Sequence, residues 1–137
     1  PLWLGKEIRL ETRPVDPRDL FRGNYARLGY DFSTLPTAGF RPGDVIYLPL
    51  EQDGQVWRGQ TPAHEPPEQG IYLRGRVSGS PWGGASRVTF GIEALFAPKE
   101  KALQLERELR DGAVAVVKVA PNGRAALVKV ETEAVDN

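Results

Sequence analysis

The sequence lacks the residue types on which many catalytic and metal sites depend. Cysteine is absent, which excludes a disulfide, a thiol nucleophile and a thiolate metal site. The one histidine, His64, has only Glu65 and Glu68 as neighbouring ligand candidates, so a solvated loop position is expected. Gly83 and Gly84 do not follow a strand and open a helix, so they do not form a phosphate-binding loop. No metal and no cofactor are therefore expected.

A surplus of charge of either sign is also missing. The chain carries 18 Lys and Arg residues and 18 Asp and Glu residues, which gives a formal net charge of zero. Nucleic-acid binding requires an excess of basic side chains on one face. Nucleic acid is therefore not the expected main partner.

No long hydrophobic run is present. A membrane-spanning helix needs about 18 consecutive apolar residues, and this sequence has no such stretch, so it is expected to be a soluble piece. It contains no methionine and starts at Pro1, from which we expect that an N-terminal segment is missing. Residues 1–5 are apolar and include Trp3, a residue type enriched where membrane meets water. They fit the outer end of a membrane anchor and a first β-strand equally well.

The pattern that is present is an alternation of apolar and polar residues with a period of two. Ile8, Leu10 and Thr12, for example, face one way, and the charged residues between them face the other. This pattern predicts a mainly β protein, a β-rich α+β fold with an antiparallel, barrel-like or sandwich-like core. About eight strands are expected: residues 6–13, 24–32, 45–50, 55–60, 71–77, 87–92, 113–119 and 124–132.

One helix interrupts the strands, at residues 99–110. Ala102, Leu105 and Leu109 form its apolar stripe, to which Leu103 is a further candidate. Loops are predicted at residues 34–42, at the proline-rich residues 61–70, at the Gly- and Ser-rich residues 78–85 that carry Trp82, and in a frayed tail at 133–137. Residues 1–137 are expected to form a single domain, with two small β lobes divided near residues 61–70 as the alternative.

The densest cluster of charged and aromatic residues follows the first strand. Two prolines and two aspartates predict a rigid corner between strands, with arginines covering the outside. Arginines beside tyrosines are also typical of interaction surfaces. The candidate surface consists of Asp16, Arg18, Asp19, Arg22, Tyr25, Arg27 and Tyr30.

This segment resembles the signature of the GDYXXLXY family of uncharacterised, membrane-anchored bacterial proteins. The family is named for a Gly-Asp-Tyr-x-x-Leu-x-Tyr motif, and residues 23–30 read Gly-Asn-Tyr-Ala-Arg-Leu-Gly-Tyr. Asn24 stands where the motif has aspartate, so any chemistry that depends on that charge is not available here. Asparagine can still cap a turn, which favours a structural role for this position.

The resemblance extends to residues 90–96 and to the glutamate-rich helix that follows. It implies an N-terminal transmembrane anchor, absent from this sequence, and a domain outside the cytoplasm, in the periplasm or extracellular space. It also implies a multi-pass membrane protein as a partner. The family has no established activity that could be carried over to this chain.

Three functions remain open from the sequence. The first is a non-enzymatic accessory or interaction domain of a membrane-anchored protein. The second is a cell-envelope hydrolase that uses Asp16 or Asp19, which would require one of these carboxylates to be buried in a deep pocket. The third is the binding of a small acidic ligand by the arginine cluster.

Overall fold

The computed structural model describes residues 5–82 and 84–132. Of the segments interpreted above, residues 1–4 and the predicted tail at 133–137 lie outside the described residues. Among the described residues there are eleven strands and one α-helix, so the prediction of a mainly β fold with one helix is confirmed. The elements are β1 (Lys6–Glu11), β2 (Phe21–Arg22), β3 (Tyr25–Arg27), β4 (Thr34–Pro36), β5 (Val45–Asp53), β6 (Val56–Gly59), β7 (Tyr72–Trp82), β8 (Ala85–Thr89), β9 (Ala94–Phe96), α1 (Lys99–Arg110), β10 (Ala113–Val119) and β11 (Ala125–Thr132).

The strands form three antiparallel sheets. One has the order β1-β10-β11, a second the order β2-β3-β9, and a third the order β4-β8-β7-β5-β6. Only β10-β11, β7-β8, β5-β6 and β2-β3 are hairpins between neighbouring strands, and the other pairs join distant parts of the chain. The fold therefore depends on long-range strand pairing.

Most of the buried apolar side chains form one continuous cluster. It draws on both halves of the chain, with Ile8, Ile46 and Leu73 together with Leu105 and Val117. In β10, which lies between β1 and β11, every residue from Ala113 to Val117 is buried, so side chains on both faces of this strand are covered. The proline-rich loop at residues 61–70 is attached to this body, since Ala63 pairs with Tyr47 of β5.

Several predicted strands and loops differ in extent from the structure. Of the predicted strand at residues 24–32, only β3 forms a strand in the structure. It is followed by a single β-bridge between Arg13 and Gly29 and then by a 3-10 turn at Asp31–Ser33. The predicted loops at residues 34–42 and 78–85 contain strand residues. Gly and Ser suggested a loop in the second case, but β7 continues to Trp82 with a register shift against β8 that accommodates the extra residues.

The helix has the predicted bounds, with one correction to its buried face. Leu105 and Leu109 are buried, whereas Leu103 is 67% exposed. Leu103 lies two positions from Leu105, which is more than half a turn around the helix, so it points away from the core. No helix among residues 5–82 and 84–132 is long and apolar enough to cross a membrane.

Candidate interaction surface

The two segments singled out in the sequence, residues 23–30 and 90–96, lie side by side. Strands β3 and β9 pair in antiparallel register, so that Ala26 lies opposite Leu95. Farther along, the Tyr30 hydroxyl donates a hydrogen bond to the Ile92 carbonyl oxygen at 2.6 Å. Segments more than 60 residues apart in sequence therefore form one structural unit.

Glu93 fixes the turn that brings the second segment into place. Its two carboxylate oxygens accept hydrogen bonds from the backbone N–H groups of Phe90 at 2.7 Å and Gly91 at 2.9 Å. Its carbonyl oxygen accepts a hydrogen bond from the backbone N–H of Leu28 at 2.8 Å. Side chain and backbone of one residue thus join the turn to the motif segment.

The β2-β3 hairpin places the motif residues on opposite faces of its sheet. Gly23 has a φ of +58°, the left-handed conformation that the first central position of a tight hairpin turn requires, and Asn24 completes the turn. Asn24, the residue that replaces the aspartate of the motif, thus lies in a turn. Because β3 begins directly after this turn, Tyr25 and Arg27 face outward and Ala26 faces the core.

The outer face of the β2-β3-β9 sheet carries an exposed aromatic pair. Tyr25 lies opposite Phe96 in the β3-β9 register, and the two rings meet edge to face with centroids 5.8 Å apart. Tyr25 is 52% exposed and Phe96 is 59% exposed. Two large aromatic side chains are thus held against each other while half of their surface remains in water.

Arginines flank this pair. Arg22 lies opposite Tyr25 in the β2-β3 register, and Arg27 lies two residues along β3 from Tyr25, so both share the outer face. Arg22 is exposed and Arg27 is half-buried. Within the described part of the chain neither guanidinium forms an ion pair with a carboxylate. We call Arg22, Tyr25, Arg27 and Phe96 the aromatic–arginine surface.

Asp16, Arg18 and Asp19 lie beside this surface and interact with one another. The Asp16 carboxylate accepts hydrogen bonds from the Arg18 backbone N–H at 2.9 Å and from its guanidinium at 2.9 Å. The Arg18 guanidinium, followed by its backbone N–H, holds the pKa of Asp16 below its usual value. Asp19 contributes a further negative charge near Arg18. Asp16 thereby caps the 3-10 turn at Pro17–Asp19, which lies between β1 and β2.

Tyr30 does not belong to the exposed surface, which corrects the candidate set. It is only 4% exposed, its ring stacks on Phe32, and its hydroxyl donates a hydrogen bond to the buried Ile92 carbonyl oxygen. Burial, reinforced by the nearby charge of Glu93, raises the pKa of Tyr30, so the hydroxyl stays protonated as a donor. Tyr30 follows Ala26 and Leu28 at a spacing of two residues, and all three side chains are buried.

A cleft of about 370 Å³ opens next to the surface. Its walls mix charges of both signs: Asp16, Asp19, Arg22, Arg27, Arg87 and Glu93. The hydrolase hypothesis required a buried carboxylate, but Asp16 and Asp19 are both exposed. The lowered pKa of Asp16 also keeps it ionised, which is the wrong state for a general acid.

The structure adds Phe96 and Arg87 to the seven residues of the predicted candidate surface. Phe96 lies on a three-residue strand, which is too short to produce a recognisable alternation. His64, in contrast, has the predicted loop position and stacks on Phe40 with ring centroids 3.8 Å apart. Among the residues that the structure describes, no cluster of three His, Asp or Glu side chains could hold a metal ion.

One of the comparisons with known proteins finds a family match that covers most of the chain. A family model described as GDYXXLXY protein matches residues 1–130. No curated protein and no solved structure matches the chain significantly. The match includes both the motif segment and the block at residues 90–96, which the fold joins into one unit. The chain belongs to the GDYXXLXY family.

Proposed function

We propose that this protein is a non-enzymatic interaction domain that binds an acidic segment of a partner protein through the aromatic–arginine surface. The observation that carries the proposal is the exposed contact between Tyr25 and Phe96, at 52% and 59% exposure. Aromatic residues and arginine are enriched at the energetic centres of protein interfaces. Covering two preordered rings removes apolar surface from water at little cost in side-chain entropy, because the rings already hold each other in place.

The positive charges of this surface favour a partner segment that is negatively charged. Arg22 and Arg27 have no carboxylate partner among the described residues, and a planar guanidinium is well suited to bind a carboxylate with two hydrogen bonds. Arg27 is half-buried, so an ion pair formed there is shielded from water more than an ordinary surface pair. We therefore expect the partner segment to place Asp or Glu beside an apolar side chain.

The proposal also covers the partner's class and location. A multi-pass membrane protein as partner, an N-terminal membrane anchor and a position outside the cytoplasm are all supported by the family resemblance described above. They are independent of the geometry of the surface, so the experiment below tests the surface and its partner separately from the anchor.

Photo-crosslinking from within the surface tests the proposal. The membrane-anchored protein, with a photoreactive phenylalanine analogue in place of Tyr25, is irradiated in its native cells, and the crosslinked peptide is sequenced by mass spectrometry. We expect one peptide rich in Asp and Glu from one membrane protein. The additional substitution Arg22→Glu should abolish the crosslink without unfolding the domain, because it replaces attraction by repulsion on an exposed strand.

The matched control places the same analogue at Leu103, which is equally accessible on the outer side of α1, at 67% exposure. It should give no specific product. The proposal is wrong if the same peptide is captured from both positions, or if Arg22→Glu leaves the crosslink unchanged.

A further inference from the structure

We infer that a second site, at the junction of two sheets, binds phosphate-type oxyanions through Arg74, Arg76 and Arg124. This inference does not depend on the proposed function, because it uses none of the residues of the aromatic–arginine surface. The three arginines line one shallow pocket of about 360 Å³ together with Thr89.

Strand alternation supplies two of the three arginines. In β7 Leu73, Gly75 and Val77 are buried, so the intervening Arg74 and Arg76 stand on the outer face of the sheet. Thr89 of β8 lies opposite Arg76 and therefore shares this face. One strand and its neighbour thus present two guanidinium groups and a hydroxyl in one direction.

The turn between β10 and β11 delivers the third arginine. The Arg74 backbone N–H donates a hydrogen bond to the Gly123 carbonyl oxygen at 2.9 Å, which attaches this turn to β7. A Cβ atom at Gly123 would lie 2.6 Å from the Tyr72 ring and 3.0 Å from the Arg74 Cβ. The turn can approach β7 this closely only because residue 123 is glycine, and the next residue along is Arg124.

The pocket carries positive charge that nothing in its walls neutralises. No carboxylate lines it within the described ranges, and none of its three arginines forms an ion pair there. Arg76 is oriented by one hydrogen bond from its Nη1 to the Gly43 carbonyl oxygen at 2.9 Å, which leaves its other N–H groups for a ligand. Five arginines elsewhere in the chain do pair with a carboxylate: Arg9, Arg13, Arg18, Arg58 and Arg110. What distinguishes Arg74, Arg76 and Arg124 is that three arginines without an ion pair among the described residues line one pocket.

The chemistry of the pocket selects its ligand. Three guanidinium groups in one pocket repel one another, and a bound dianion would relieve that repulsion. Guanidinium groups match the geometry of phosphate oxygens with paired hydrogen bonds, and the Thr89 hydroxyl can donate one more. A phosphate monoester has about two negative charges at neutral pH. The group that we expect to bind is therefore a phosphate monoester, which can belong to a soluble compound or to a lipid headgroup.

Titration of the 137-residue chain with inorganic phosphate tests the site. The Nε–Hε signals of arginine side chains are followed by NMR at constant ionic strength, with chloride as the comparison ion. We expect saturable shifts of the Arg74 and Arg124 signals with phosphate only. Arg74→Gln and Arg124→Gln should each weaken phosphate binding by roughly fivefold or more, because each removes a charge-assisted hydrogen bond. The control Arg107→Gln, on the exposed side of α1, should leave binding unchanged.

Sedimentation with vesicles distinguishes the two sources of the phosphate. Phosphatidylcholine vesicles that contain phosphatidic acid present a phosphate monoester, whereas phosphatidylserine at equal surface charge does not. Sedimentation with phosphatidic acid that is lost in the Arg74→Gln and Arg124→Gln variants identifies a lipid headgroup. Phosphate-dependent NMR shifts without sedimentation identify a soluble phosphate compound. The site is overturned if phosphate and chloride give the same non-saturating shifts, or if all three variants bind phosphate like the unmodified chain.

Discussion

Tyr25 and Tyr30 belong to the same motif and have opposite environments. Tyr25 is 52% exposed and packs edge to face on Phe96, whereas Tyr30 is 4% exposed and bonds the Ile92 carbonyl. Their five-residue separation would give them opposite faces in a regular strand. One tyrosine therefore holds the motif in the core, and the other is available to a partner.

At this scale we predict that Tyr30→Phe destabilises the domain. The substitution keeps the ring but leaves the buried Ile92 carbonyl without its hydrogen bond, which should lower the free energy of unfolding by about 1–2 kcal/mol. Urea denaturation followed by tryptophan fluorescence measures this difference. In the matched control, Tyr25→Phe removes a hydroxyl that makes no hydrogen bond to other described residues, so stability should change by less than about 0.5 kcal/mol. Equal losses in the two variants would contradict the assigned roles.

At the scale of the elements, α1 shows how one face of a helix is attached to the sheets. Leu105 and Leu109 are buried, and the rest of the helix is largely charged or polar. Glu100 near its N-terminus and Arg107 and Arg110 near its C-terminus complement the helix dipole. The helix is therefore held mainly by two leucines.

We predict that Leu109→Ala lowers the free energy of unfolding by about 2–4 kcal/mol, because it leaves a cavity in the packed face of the helix. Leu103→Ala makes the same chemical change on the exposed side and should have an effect below about 0.5 kcal/mol. Thermal unfolding of both variants, monitored by circular dichroism, compares them directly. A helix that loses equal stability from both substitutions would not be attached as described.

The sequence predicted the long elements better than the short ones. The alternation of Ile8 and Leu10, and the stripe of Leu105 and Leu109, span enough residues for a period to be recognised, and all four are buried. Strands β2, β4 and β9 have two or three residues each, which is too few for any period. Of the predicted candidate residues, Arg22, Tyr25 and Arg27 lie on one outer face, but the fourth member of the aromatic–arginine surface, Phe96, comes from such a short strand. Only the fold brings Phe96 to Tyr25.

At the scale of the whole molecule, the two ends of the described chain share one sheet. Strand β10 lies between β1 and β11, and the Arg9 guanidinium on β1 reaches across to the Glu131 carboxylate on β11 at 3.0 Å. The hydrogen bond from Arg9 lowers the pKa of Glu131, and burial opposes this effect only in part. A carboxyl group whose pKa is lower in the folded state than in the unfolded state stabilises the fold at pH values above its unfolded pKa. This stabilisation is lost as the pH falls through the folded pKa.

We predict that Glu131→Gln lowers stability at neutral pH by about 0.5 kcal/mol, a small value because both side chains are about one-third exposed. The difference from the unmodified chain should begin to shrink as the pH falls past the unfolded glutamate pKa of about 4.3, and should vanish below the lower folded pKa. Urea denaturation across this pH range measures it. Glu65→Gln, which removes an exposed loop carboxylate that has no ion pair among the described residues, should show no such pH dependence. A pH-independent difference for Glu131→Gln would rule out the ion pair as its cause.

The central position of β10 also determines when the strands of its sheet can pair during synthesis. The hydroxyl of Thr12, the residue after β1, donates a hydrogen bond to the carbonyl oxygen of Ala113, the first residue of β10, across 101 residues of sequence. At a synthesis rate of about 5–20 residues per second, β1 waits roughly 5–20 s before its partner strand exists. During that interval Ile8 and Leu10, fully buried in the finished fold, have nothing to pack on from their own sheet. Strand β1 can therefore pair in its sheet only after β10 has been translated, about 100 residues later, so this sheet forms late in synthesis.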